Sequence, residues 1–175
     1  MTSSAPITPA QYRIIAGFAA FLILSGAALA LFGIFFLKSA QASRAWPSTS
    51  GEVQTIKAVL HTTRNNGRVK TYNYTVTYQY EVDDRTYTSD RYSLGSGSTA
   101  SPQYDTARAA RRAGEEVYPP GSEVQVYYDP ANPASTVLKP GANFGTYVPL
   151  VMGLLFMPSG FLFFKVLFSA SQPQG

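Results

Sequence analysis

The sequence lacks cysteine, has a single histidine and carries few charges. Without cysteine, disulfides, thiolate nucleophiles and Cys-ligated metal centres are excluded. The one histidine, His61, excludes a two-histidine relay and a His-rich metal site. Charged residues make up only 14% of the 175 residues and hydrophobic residues 45%, against roughly 25% charged residues in a typical soluble domain. This balance excludes a charge-rich disordered chain.

Phenylalanine is missing from the middle of the chain. All 11 phenylalanines lie outside residues 40–143, whereas ten of the 12 tyrosines lie inside that interval. Phenylalanine suits hydrocarbon because it has no polar group, and tyrosine suits a half-wet surface because its hydroxyl needs a partner. The partition predicts apolar ends and a water-exposed middle domain.

Two uncharged runs predict membrane spans. Residues 14–37 form 24 residues without a charge, and residues 147–164 form 18 more. About 20 apolar residues cross a bilayer as a helix. A signal peptide is the alternative for the first run, with a cleavage-like Ala40-Gln41-Ala42, but its apolar region is too long. A buried core helix is the alternative for the second. We expect transmembrane helices over residues 13–38 and 145–168, with tails at 1–12 and 169–175.

The intervening residues 44–141 predict a β-rich domain. Apolar and polar residues alternate strictly over residues 71–82, which is typical of a strand with one covered face. Further strands are predicted at 52–63, 85–93, 122–128 and 135–138, with Asn65-Asn66-Gly67 and Asp83-Asp84 as hairpin turns. A short helix is expected to begin at Ser101-Pro102 and to stop at Gly114. The predicted fold class is an α+β membrane protein, in which two transmembrane helices flank a small five-stranded antiparallel domain, an OB-like or SH3-like barrel with one short helix.

The polar residues do not form a recognisable catalytic or metal-binding pattern. The carboxylates lie mostly in turns and loops, without the spacing of a calcium loop: Asp83, Asp84, Asp90, Asp105, Glu115, Glu116 and Asp129. Gly95-Ser96-Gly97 lacks the strand–loop–helix context and the Gly-Lys-Ser/Thr of a phosphate-binding loop. We therefore predict no enzyme, no cofactor, no metal and no identified small-molecule substrate. Residues 40–143 carry 11 Lys/Arg against ten Asp/Glu, so nucleic-acid binding is not expected either.

Four residues are candidates for contact with lipid or a partner. Arg108, Arg111 and Arg112 form a basic edge on the predicted short helix, suited to anionic headgroups or an acidic partner. A solvated helix face is the competing interpretation. Trp46 follows the first span, where an indole suits the membrane interface, and packing under the barrel is its alternative role.

Three segments resemble the bacterial DUF3592 family. They are Trp46-Pro47 with Gly51-Glu52-Val53, the Tyr-rich run at residues 78–82, and Tyr118-Pro119-Pro120-Gly121 leading through residues 124–133; the run at 137–141 closes the pattern. The resemblance covers roughly residues 44–141. Where the family usually has glycine after the Tyr-rich strand, this chain has Asp83-Asp84. The resemblance implies a small β domain on membrane anchors and implies no activity.

These observations favour a non-enzymatic, membrane-anchored interaction or accessory module. The alternative is a structural or regulatory subunit that associates through its transmembrane helices with a larger membrane complex; an oligomeric pore and an enzyme are less favoured. Expected partners are the lipid bilayer and a membrane or envelope protein, with self-association as a further option. We expect a multi-pass protein of the bacterial plasma membrane. Lys38, Arg44 and Lys139, against Arg13 and Lys165, lean toward a cytoplasmic domain.

Overall fold

The computed structural model describes residues 8–64 and 68–170. They divide into two compact units, one containing the chain up to Leu37 and from Tyr147 onward, the other containing residues 38–146. The element order is α1 (Pro9–Ala42), a 3₁₀ turn (Ser43–Ala45), β1 (Ser48–Arg64), β2 (Arg68–Val82), β3 (Arg85–Ser89), β4 (Thr99–Tyr104), α2 (Ala107–Val117), β5 (Glu123–Asp129), β6 (Asn132–Val137) and α3 (Phe144–Ala170).

The first unit contains two helices, α1 and α3, that are long and apolar enough to cross a membrane. At 1.5 Å per residue, the 34 residues of α1 extend over about 51 Å and the 27 residues of α3 over about 40 Å. Both therefore exceed the roughly 30 Å hydrocarbon core of a bilayer. Helix α3 runs through Pro149 and Pro158, which membrane helices tolerate better than soluble helices do.

Small residues bring α1 and α3 into close contact. A Cβ added at Gly33 would lie 2.5 Å from the Leu150 backbone nitrogen, and one at Gly153 would lie 2.5 Å from the Ala30 nitrogen. Gly26 and Gly160 are equally crowded by the opposite helix. The two backbones can approach only because these positions carry no side chain.

The second unit is built on one antiparallel sheet. The strand order is β3-β2-β1-β5-β6. β3 and β4 both pair with the same edge of β2, at different positions along it. The two longest strands, β1 and β2, form a hairpin whose register runs from Gly51 opposite Tyr80 to Arg64 opposite Arg68. The predicted turn Asn65-Asn66-Gly67 lies outside the described residues.

The predicted apolar face of β2 forms the core. Tyr74, Val76, Tyr78, Tyr80 and Val82 are all buried and pack in one cluster with side chains from β1, β5 and the end of β6: Val53, Ile56, Val126 and Leu138. The Tyr80 and Tyr87 rings stack 5.4 Å apart, and the Tyr78 hydroxyl donates to the Arg91 carbonyl oxygen at 2.8 Å. The core is thus aromatic, with the phenolic hydroxyls satisfied at its rim.

The predicted five-stranded barrel is wrong in strand count and in closure. The described residues contain six strands, and β3 and β6, at the two ends of the order, share no ladder, so the sheet is open. The additional strand is β4, which we expected to be a loop and the start of a helix. It pairs with β2 because the Asn73 amide donates to the Ala100 and Pro102 carbonyl oxygens, at 3.0 and 3.1 Å, where the register shifts. Pro102 is tolerated because β4 is an edge strand.

The short helix begins later and ends later than predicted. Its N-cap is Thr106, whose hydroxyl oxygen accepts from the Ala109 nitrogen at 3.1 Å, and not Ser101. Gly114 does not stop the helix but is buried within it. A Cβ there would lie 2.7 Å from Ile56 Cγ2 and 2.9 Å from the Tyr74 ring, so glycine allows α2 to sit directly on β1 and β2.

Candidate functional site

The three arginines predicted as a contact surface are exposed on α2. Arg111 Nε lies 2.7 Å from Glu115 Oε1, an exposed pair one helical turn apart. Exposed pairs of this kind contribute little to stability. Arg108 and Arg112 are exposed on the same helix, where Glu115 and Glu116 offset part of the positive charge.

Trp46 lies in a different place, directly after the 3₁₀ turn and before β1. It is partly buried, and its backbone nitrogen donates to the Ser43 carbonyl oxygen at 3.2 Å. Within the described residues, no hydrogen bond or ring contact joins Trp46 to α2. The contacts predicted for the three arginines and for Trp46, with lipid or with a partner, stay predictions.

A more highly organised region is formed by residues 92–97 and 139–146, which we call the loop junction. The Lys139 nitrogen donates to the Tyr92 carbonyl oxygen at 2.8 Å. The Asn143 amide nitrogen donates to Ser93 Oγ at 2.7 Å and to Ser96 Oγ at 2.9 Å. Two segments about 45 residues apart in sequence are thereby held together at the start of α3.

Glycine is required at two positions of the loop junction. A Cβ at Gly95 would overlap Asn143 Oδ1, and a Cβ at Gly145 would overlap the Gly95 carbonyl oxygen. Asn143 Oδ1 is buried without a hydrogen-bond partner among the described residues and lies against Gly95. The backbones at this junction are in contact, which fixes the positions of the neighbouring side chains.

The loop junction borders a cavity of about 680 Å³ on the side of β1 and β2. His61, Asn73 and Gln103 line it from the strands, and Lys139 and Phe144 line it from the loop. None of the described residues that line it carries a carboxylate. Its polar groups are an ammonium, an imidazole, amides and hydroxyls, a set that suits an anion better than a cation.

Two tyrosine rings pack next to the Lys139 side chain. Its Nζ lies 5.9 Å from the centre of the Tyr92 ring, within cation–π range. Tyr92 in turn meets Tyr118 edge to face, with ring centres 6.3 Å apart. The pKa of the Tyr118 hydroxyl is raised mainly by burial and, to a smaller extent, by a hydrogen bond with Tyr92. This phenol therefore stays neutral.

A second cavity, of about 550 Å³, lies on the outer face of the sheet and is acidic. Glu52, Glu81 and Glu123 line it, and Ser50 Oγ donates to Glu123 Oε1 at 2.6 Å. Among the described residues, no group of three or more His, Cys, Asp or Glu side chains could hold a metal ion. The carboxylates here are a solvated strand face.

The end of the β domain is closed by a contact that sequence inspection missed. The Gly141 nitrogen donates to the buried Ser43 Oγ at 2.8 Å, and Ser43 Oγ donates to the Ala40 carbonyl oxygen at 2.7 Å. Gly141 has φ of +100°, and the Arg44 side chain packs against it. Neither this contact nor the loop junction has a local pattern in the sequence, since each depends on segments that are distant along the chain.

Comparison with known protein families identifies the β domain. A family model described as Domain of unknown function (DUF3592) matches residues 49–143. A search of curated proteins finds no match. The matched segment begins in β1, ends at the loop junction and covers more than half of the 175 residues. Since it includes every strand and the helix that packs on them, the chain belongs to the DUF3592 family.

Proposed function

We propose that this protein is a non-enzymatic interaction or accessory module anchored in the bacterial plasma membrane by α1 and α3. The observation that carries the proposal is the packing of the two helices. Their glycines are buried against each other, at Gly26, Gly33, Gly153 and Gly160. Small-residue faces are the surfaces by which membrane helices recognise other helices. These faces are occupied within the chain, which leaves the helices to serve as an anchor.

The outer surfaces of the helix pair suit lipid. Large apolar side chains are more than half exposed on both helices, for example Phe21 and Leu24 on α1 and Leu154 and Phe161 on α3. Such side chains are stable when they contact acyl chains, and they offer no polar group to a partner helix. Recognition of a partner is therefore assigned to the β domain.

The β domain offers an unpaired strand edge. β5 pairs with β1 only from Ser48 to Glu52, and Val53 adds bonds to Gly121 and Ser122. Beyond that point, residues 55–64 of β1 pair with β2 on one edge and have no ladder on the other in the described strands. An exposed edge of this length is a template for an added strand.

The hairpin that carries this edge is positively charged. Between Glu52 and Glu81 the sequence contains no carboxylate but four cations, Lys57, Arg64, Arg68 and Lys70. A second copy of the same edge would be repelled by these charges. The occupant that fits is an extended, acidic segment of a partner protein, because charge complementarity favours the encounter.

Photocrosslinking in the full-length chain tests this assignment. A photoreactive amino acid replaces Leu60, which is 49% exposed on β1, or Phe161, which is 58% exposed on α3. We expect a protein adduct from position 60 and only lipid adducts from position 161. Lys57→Glu should lower the adduct yield about fivefold, and the matched control Arg85→Glu on β3 should leave it unchanged.

The opposite pattern supports the alternative role as a subunit that associates through its helices. In that case protein adducts form from helix positions and not from position 60. Gly17 is the position to add to the test, because nothing lies within 4 Å of a Cβ placed there, and a partner helix could approach it closely.

A further inference from the structure

We infer that the cavity beside the loop junction binds the phosphate headgroup of an anionic phospholipid. The inference rests on the proposed membrane anchoring and adds a ligand to it. The ligand chemistry is a phosphate ester, and its lipid source is argued from where the cavity lies along the chain.

The polar lining of the cavity matches an anion. Lys139 supplies a positive charge, and His61 on β1 and Gln103 on β4 supply N–H donors. With no carboxylate among the described lining residues, no anionic side chain in the cavity competes for the ammonium group. An ammonium group surrounded by neutral donors binds phosphate as a point charge assisted by hydrogen bonds.

Lys139 is held in place without being neutralised. Its backbone nitrogen bonds to the Tyr92 carbonyl oxygen, and its side chain extends past the Tyr92 ring. Its side chain is exposed, so the ammonium remains available to a ligand. An aromatic support orients a lysine without consuming its charge, because the ring is neutral.

An apolar side chain adjoins the charged one. Phe144 lines the same cavity and is 87% exposed. It is also the first residue of α3, at which the candidate membrane span begins. A phospholipid carries its acyl chains one glycerol unit away from its phosphate, so an exposed phenyl ring that lines the same cavity as an ammonium group suits its two parts. The pairing of Lys139 with Phe144 therefore favours a lipid.

The floor of the cavity is preorganised. The hydrogen bonds from Asn143 to Ser93 and Ser96, and the backbone contact of Gly95 with Gly145, fix the loop that carries Lys139 and Phe144. Preorganisation lowers the entropic cost of ligand binding. The ordering contacts of the loop junction thus have a binding role as well as a structural one.

Native mass spectrometry of the full-length protein in detergent tests the inference. Phosphatidylglycerol and phosphatidylcholine with the same acyl chains are titrated separately. We expect tighter binding of phosphatidylglycerol, and we expect Lys139→Gln to weaken it about tenfold. Lys70→Gln removes an exposed lysine that does not line the cavity and is the matched control, with unchanged affinity. Gln103→Leu is a second variant, expected to weaken phosphatidylglycerol binding less than Lys139→Gln does.

Three other results would overturn the inference. Equal binding of the two lipids, or equal affinities of Lys139→Gln and Lys70→Gln, would exclude a headgroup site at Lys139. Displacement of phosphatidylglycerol by an equimolar amount of glycerol 3-phosphate would assign the site to a soluble phosphate ester. Alkaline carbonate extraction of membranes that contain the protein tests the anchoring independently. Release of the protein would contradict the proposed function but would not change the measured preference of the cavity for phosphatidylglycerol.

Discussion

Asp83 and Asp84 occupy the tight turn between β2 and β3 with φ of 52° and 59°. Two consecutive positive values, between the paired residues Val82 and Arg85, define a type I′ hairpin turn. Aspartate tolerates this region better than most residues, but glycine tolerates it without steric cost. The turn is therefore strained at both positions, where glycine would carry no steric cost.

Replacing Asp84 with glycine should stabilise the domain by roughly 0.5–1 kcal/mol, because the positive φ no longer opposes a Cβ. Thermal unfolding of the full-length protein in detergent measures the change. Asp84→Ala is the control, since alanine keeps the Cβ and loses the local hydrogen bonding of aspartate. A melting temperature that rises equally in both variants would contradict the turn assignment.

Tyr78 links the core to the pH dependence of stability. Burial, the largest effect, raises the pKa of its hydroxyl from 10.0 to about 12. The folded state therefore holds a proton that the unfolded state releases at lower pH. The stabilisation is complete below pH 10 and is lost as the pH rises from 10 through about 12, a change of roughly 2–3 kcal/mol.

Tyr78→Phe should change how the free energy of unfolding falls between pH 10 and 12. At pH 7 the variant loses the hydrogen bond to the Arg91 carbonyl oxygen and is less stable by about 1 kcal/mol. Because phenylalanine does not ionise, the variant should lose less stability than the wild type between pH 10 and 12. Urea unfolding at pH 8, 10 and 11.5 measures both curves. Parallel curves would show that the Tyr78 hydroxyl has the same pKa in the folded and unfolded states, which would contradict the effect of burial.

At the scale of secondary structure, the sequence predicted those elements whose pattern is local. The alternation over β2 predicted its buried face because period two is a property of the strand itself. β4 was missed because its residues, Thr99–Tyr104, are those of a loop, and it becomes a strand through the Asn73 amide, which belongs to another strand. Barrel closure failed for a similar reason, since pairing between distant strands leaves no local pattern.

The candidate site shows the same limit. Arg108, Arg111, Arg112 and Trp46 were selected by residue type and by their place in the sequence, and their contact with lipid or a partner stays a prediction. Asn143 and Ser93 lie 50 positions apart, and their contact exists only in the folded domain. Gly95 was predicted to lie in a loop and Gly145 at the start of the second span, and the steric role of each glycine is apparent only from the chain that faces it.

The helix pair provides a prediction at the same scale. Gly153→Leu should separate α1 from α3, because its Cβ would lie 2.5 Å from the Ala30 nitrogen and 2.7 Å from the Gly26 carbonyl oxygen. Spin labels on cysteines introduced at Leu24 and Leu154 report the distance, since the chain has no native thiol. We expect a longer, broader distribution in Gly153→Leu. Gly17→Leu, at an open position, should match the parent, and equal broadening in both variants would contradict the packing.

At the scale of the whole molecule, the proposed membrane anchoring predicts which side of the membrane holds the β domain. If α1 and α3 both cross the membrane, as proposed, Thr8 lies on one side of the bilayer and the β domain lies on the other. The proposal, from the distribution of Lys and Arg around the spans, is a cytoplasmic domain. The Gly95–Ser98 loop is a poor place for a reporter, because Gly95 admits no Cβ and Ser96 is hydrogen-bonded to Asn143.

A cysteine at Thr88, exposed on β3, is a better reporter. We expect Thr88→Cys to resist an impermeant maleimide in intact spheroplasts and to react after lysis. Thr8→Cys, exposed at the start of the described chain, should react already in intact spheroplasts. Labelling of Thr88→Cys in intact cells would place the domain outside and redirect the search for a partner to the cell envelope.

The bond between Gly141 and Ser43 joins positions 98 residues apart, so the two ends of the β domain meet. Two paired helices that continue from those ends act as a cross-link on the unfolded domain, much as a disulfide does. Closing a loop of about 100 residues removes chain entropy equivalent to roughly 4–5 kcal/mol from the unfolded state. The anchor is then also a thermodynamic clamp, and a domain cut free of its helices would regain that stability by head-to-tail cyclisation through a short linker.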